Sequence, residues 1–136
     1  MDETGILDDP EKRLAVAEKI IERAVGSGMA REDIVVDPLA MAVSAEPQAC
    51  VVTLGTISLI SKTLGCNITM GASNISFGLP GRESLNSAFL SMAIAAGLTC
   101  PIANPEKIAP AVRASDLIMG RDDYAIRFVG YFQGTQ

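Results

Sequence analysis

Asn74 and Arg82 flank the turn-forming run Gly78-Leu79-Pro80-Gly81, inside a stretch from Pro47 to Pro105 whose only charges are Lys62, Arg82 and Glu83. Asn74 carries a donor and an acceptor on one neutral amide. It can therefore bond a ligand nitrogen that gains or loses a proton without bringing a competing charge. The same amide can instead satisfy backbone groups in the irregular turn before Pro80. Arg82 suits a planar polar ligand or an anion, and a surface ion pair near Glu83 would account for it equally. Asp37 closes the β-branched run Ile34-Val35-Val36 just before Pro38. It reads either as a cap of a turn or helix, or as a buried carboxylate that takes the paired N–H donors of a guanidine-like ligand edge. Asn86, one turn beyond Arg82, points inward or sits on the surface.

The elements that must place these groups follow from periodicity and punctuation. Leu14, Ala17, Ile21 and Ala24 fall on one face of a helix over residues 10–25, with Asp8 or Asp9 as cap, Pro10 in the first turn and Gly26 and Gly28 at the end. Further helices are expected over residues 47–64, 82–96 and 105–119, and strands over 34–37, 67–71 and 100–103. Helices alternate with strands too apolar for one solvated face, which predicts parallel strands covered by helices. Each strand ends at polar residues: Asp37-Pro38, Ser73-Asn74 and Asn104-Pro105. That is where α/β barrels and doubly wound folds hold ligands. A full barrel takes eight such units in roughly 250 residues. A chain of 136 residues is then about half of one, and Asp2-Glu3-Thr4-Gly5 reads as a loop whose strand lies outside it.

Composition removes several kinds of chemistry. The chain has no histidine, which excludes histidine triads and histidine metal sites. Cys50, Cys66 and Cys100 are odd in number and form no CxxC pair, so they read as reduced, buried thiols of a cytoplasmic protein that binds no metal. A net charge of -5 argues against nucleic acid and anionic membrane as partners. Asp2, Glu3, Asp8 and Asp9 read as solvated loop and cap residues. The glycine spacing fits neither GxGxxG nor a phosphate loop. Residues 84–105 are uncharged over a length that could span a bilayer, but Gly97 divides them into a buried helix and a buried strand.

The segments MDETGI, DIVVDPLAMAVS and ITMGASNISFGLPGRESLNSAFLSMAIAAGLTCPIANP, in that order, resemble the pterin-binding methyltransferases. These are the methyltetrahydrofolate:corrinoid methyltransferases and the folate domain of cobalamin-dependent methionine synthase. The likeness runs to about Asp123, and its SNxSFGLPxRxxLN core is long and specific. The resemblance implies the C-terminal half of a TIM (β/α)8 barrel of the dihydropteroate-synthase-like type, with about three parallel strands and four helices over residues 1–136. It implies a pterin held at the strand carboxyl ends and methyl transfer between N5 of methyltetrahydrofolate and a corrinoid (cobalamin) carried by a partner protein. By the same resemblance, Asn74 bonds N5 as the catalytic residue. Asp37 holds the amino-pyrimidinone edge, Arg82 lies against the pterin, and Gly71, Ser73 and Ser76 shape the pocket. The family's amino-terminal half, with a further pterin-binding aspartate and asparagine, has no counterpart in this sequence. The expectation is a fragment, or a chain completed by another, with open edges that favour a homodimer or larger assembly. The competing reading is a non-catalytic half-barrel that keeps the motifs. A dihydropteroate synthase is disfavoured, because Ala103-Asn104-Pro105 stands where that enzyme has an arginine and a histidine.

Overall fold

The computed structural model describes residues 8–134, so Met1, Asp2, Glu3 and the loop expected there lie outside the described residues. The chain alternates helix and strand. Helix α1 (Pro10–Gly26) starts where Asp9 accepts the Lys12 N–H at 2.9 Å. Strand β1 (Val35–Val36) leads by way of a long loop to α2 (Ala49–Leu64), which ends at Gly65 in a left-handed conformation. Strand β2 (Asn67–Gly71), α3 (Arg82–Ala96), β3 (Cys100–Ile102) and α4 (Pro105–Ile118) follow. Asn104 caps α4 by accepting the Glu106 N–H at 2.9 Å. A fifth helix, α5 (Ile126–Gln133), completes the order.

The strands form one sheet in the order β1-β2-β3. All pairings are parallel, with Val36 opposite Ile68 and Thr69 opposite Cys100. Each crossover between strands contains a helix, as parallel pairing requires. The pleat sends alternate side chains to opposite faces. Ile68 and Met70 turn toward the helices and are fully buried. There they join Ala17 of α1, Ile57 and Ile60 of α2, and Phe89, Leu90, Ala93 and Ile94 of α3 in one core. The other face has no cover among the described residues: Val35 is 49% and Ile102 64% exposed, and Cys100 lies exposed between them in the register. The fold is therefore α/β, with three parallel strands layered under helices on one side and open on the other.

Several expectations change. The second helix starts at Ala49 rather than at residue 47, and the first strand shrinks to Val35–Val36. Helix α5, in a tail to which the sequence assigned no element, packs against α4. Cys100 is exposed rather than buried, because its strand turns it to the uncovered face. Cys50 and Cys66 are partly buried, and that burial pushes both thiols up from their ordinary range. The uncharged run 84–105 breaks at Gly97 into the end of α3 and β3, and no helix among the described residues is long and apolar enough to cross a membrane.

Candidate functional site

The turn that joins β2 to α3 is built to present one amide. Strand β2 ends at Gly71, and its ladder continues one step as the Ala72 N–H donates to Ile102 O at 3.2 Å. Asn74–Ser76 then forms a single 3-10 turn, closed by the Phe77 N–H donating to Asn74 O at 3.1 Å. Gly78 (φ 77°) and Gly81 (φ 63°) take the left-handed conformations that let the chain double back into α3. Ile75 and Ser76 are buried beneath the turn, while Asn74 is exposed on top of it.

Arg82 braces this turn from the first residue of α3. Its Nε donates to Ser76 Oγ and its Nη2 to Ser73 O, both at 3.0 Å. Ser76 Oγ in turn donates to Ser73 O at 3.2 Å. Gly71 completes the arrangement, because a Cβ built there would stand 3.0 Å from Asn74 Nδ2. A side chain at this position would push the Asn74 amide a few tenths of an ångström away from the strand end. Gly71, Ser73, Asn74, Ser76 and Arg82 thus come together as one hydrogen-bonded and close-packed unit.

Asp37 stands apart from that unit, at the end of the neighbouring strand. It is exposed, so the buried carboxylate considered from the sequence is not what the fold makes. Its Oδ1 accepts the N–H of Leu39 at 2.8 Å, and Leu39 is held at φ 63°. Arg13 Nη1 clamps the next two carbonyls, donating to Pro38 O at 2.8 Å and Leu39 O at 2.9 Å. The loop then crosses to the Asn74 turn, where Val43 N donates to Ile75 O at 3.0 Å and Ser44 Oγ to Phe77 O at 2.7 Å. Asp37 and Asn74 are therefore tied through one braced loop at the carboxyl end of the sheet. Ser44 carried no sequence signal, since its role depends on where the loop lands.

A groove of about 310 Å³ opens between the carboxyl ends of β2 and β3 and the first turns of α3 and α4. Ser73, Arg82, Asn86, Asn104 and Lys107 line it. Lys107 Nζ pairs with Glu83 Oε1 at 2.6 Å, and this hydrogen bond holds the Glu83 carboxyl below its ordinary range. The sequence had singled out neither Lys107 nor this pairing, which joins two helices and has no local spacing to reveal it.

A family model described as pterin binding enzyme matches residues 3–104. A methylcorrinoid:tetrahydrofolate methyltransferase of Eubacterium limosum is 30% identical over 89% of this chain and 46% of its own length. Methionine synthases of Mycobacterium tuberculosis and Mycobacterium leprae are 31% and 32% identical over 91% and 83% of this chain. The chain covers only 12% and 10% of those proteins, so it spans about half of the first relative and about a tenth of the others.

Proposed function

Because the chain belongs to the pterin-binding enzyme family, we propose that it forms part of a methyltransferase acting between N5 of methyltetrahydrofolate and the cobalt of a corrinoid on a partner protein. The observation that carries this reading is the braced turn holding the Asn74 amide at the carboxyl end of the parallel strands. Its residues suit a pterin: a neutral amide, a carboxylate one strand away, and a guanidinium beside them. The name of the Eubacterium limosum relative, a methylcorrinoid:tetrahydrofolate methyltransferase, supplies the two classes between which the methyl group moves.

A tertiary amine such as N5 releases a methyl group only if the electron pair left behind is stabilised by a proton or a strong hydrogen bond. Asn74 meets that need in either protonation state, donating through Nδ2 to the nitrogen lone pair or accepting through Oδ1 from a protonated N5. The bond donated by Nδ2 strengthens as the electron pair of the breaking C–N bond settles on N5, so it favours the transition state over the ground state, while the bond accepted by Oδ1 keeps a protonated N5 in place. The corrinoid, when docked, supplies the cobalt electron pair that takes the methyl group. The Leu39 N–H occupies Asp37 Oδ1, and Oδ2 has no hydrogen bond among the described residues, which leaves it ready to accept from the pterin's amino-pyrimidinone edge. Arg82, committed to Ser73 and Ser76, fixes the height and angle of Asn74 rather than gripping the ligand through its Nε.

Calorimetry with methyltetrahydrofolate, together with a cob(I)alamin methylation assay, tests the proposal. Asn74→Ala is expected to slow methyl transfer about 100-fold or more with a much smaller loss of binding, as for removal of one preorganised donor. Asp37→Ala is expected to weaken binding itself. A transfer rate indifferent to Asn74→Ala would sink the catalytic role. The uncovered sheet face favours one second reading, a half-barrel that binds pterin without turning it over. Binding with no transfer from the unaltered chain would select it.

A further inference from the structure

Beside the Asn74 turn, the groove between α3 and α4 holds two groups that its own neighbours leave unsatisfied. Asn86 Oδ1 is buried and has no hydrogen-bond partner among the described residues. An orphaned amide acceptor costs stability unless something donates to it. Arg82 stands one turn earlier on the same face of α3, at the i, i+4 spacing that brings side chains together. It spends Nε and Nη2 on the turn, and no carboxylate pairs with it among the described residues. On the opposite wall Lys107 is held, among the described residues, by Glu83 alone, and both of those side chains are largely exposed.

The groove therefore asks for an N–H donor next to an anion. An acylated amino acid has this arrangement, with its amide N–H and carboxylate on adjacent atoms of one carbon. We propose that the groove is a subsite for the p-aminobenzoyl-glutamate end of the folate. The tail's amide N–H donates to Asn86 Oδ1, and a glutamyl carboxylate lies between Arg82 Nη1 and Lys107. This inference rests on the pterin reading above and deepens it: the substrate is recognised as a folate, by its tail, and not as a free pterin. Glu83 competes with the tail for Lys107. It acts as a built-in brake on tail binding, since one carboxylate must displace another.

The test is the ratio of affinities for tetrahydrofolate and tail-less 6-methyltetrahydropterin, measured by calorimetry on the whole chain. Asn86→Leu, close in size but without the acceptor, is expected to lower that ratio about fivefold. Lys107→Ala is expected to lower it about tenfold, while Glu83→Gln, which releases Lys107, should raise it. Opposite signs from two neighbouring groups on one rim would not arise from structural damage, and Glu83→Gln at an exposed site leaves the fold intact. In addition, p-aminobenzoyl-glutamate alone should shift the Asn86 side-chain amide resonances. If both ligands bind and the ratio stays constant in all three variants, the subsite is overturned. An Asn86 amide unmoved by p-aminobenzoyl-glutamate, with only a water meeting Oδ1, overturns it as well. If neither ligand binds, the pterin reading fails first and the tail subsite falls with it.

Discussion

At Gly71 a hydrogen atom decides where an amide can rest. A methyl group there would press on Asn74 Nδ2 from 3.0 Å, and Asn74, being exposed, has room to swing away. Gly71→Ala is therefore expected to change stability by only about 0.5 kcal/mol while displacing the Asn74 side chain. Pterin affinity or methyl transfer should fall several-fold at an almost unchanged melting temperature. An activity loss matched by an equal loss of stability would instead make Gly71 a purely structural residue. Asn74 shows how far residue types alone can be read. Its amide chemistry suited a ligand or the turn equally, and the surrounding motif, not its spacing, tipped the reading. Arg82 was open to two readings, ligand contact or surface ion pair, and the structure adds a third: it braces the turn at Ser73 and Ser76. Those contacts depend on how the glycines fold the chain back, which no spacing rule encodes.

At the scale of elements, helix ends carry the features most open to test. Gly97 ends α3 at φ 119°, and a Cβ there would stand 2.4 Å from Ser61 Oγ on α2. Gly97→Ala combines backbone strain with a clash between helices and is expected to cost about 3 kcal/mol, read as a lower urea midpoint. At the start of α5, Asp122 caps the helix by accepting the N–H groups of Arg127 at 3.0 Å and Phe128 at 2.8 Å. The Arg127 N–H chiefly, with Phe128 and the Arg127 charge, holds its carboxyl below the usual range against the opposing pull of burial. Since the folded pKa lies below the unfolded one, this contribution is complete above about pH 3.9 and is lost as the pH falls through the folded value. Amide exchange at Arg127 and Phe128 should therefore accelerate at acid pH ahead of exchange in the β2 core. Asp122→Asn should remove most of that pH dependence. The alternation of helices and apolar strands was legible because glycines, prolines and Asn104 punctuate it. Helix α5 was not: its residues follow two left-handed positions, Tyr124 and Ala125, where neither residue type announces such a conformation.

For the molecule as a whole, the uncovered sheet face is the main fact. The chain is part of a barrel-type fold whose outer strands, β1 and β3, each pair on one side only among the described residues. Such edges and an apolar face favour association, so light scattering is expected to report a dimer or larger species. Cys100, on the edge strand β3 of that face, should react with a maleimide more slowly in the associated species than after dilution. A monomer with a freely reactive Cys100 at all concentrations would contradict this. The sequence misplaced Cys100 because cysteines are usually buried, and burial here depends on what stands across the sheet. The groove obeys a different logic. Its lining residues lie between Ala72 and Ile108, so none of them comes from α1 or β1, and its Glu83–Lys107 link closes a loop of 24 residues. Chains complete such contacts early in folding, before distant segments are brought in. The groove is therefore expected to take shape, when the full chain refolds, without waiting for α1 and β1 to dock.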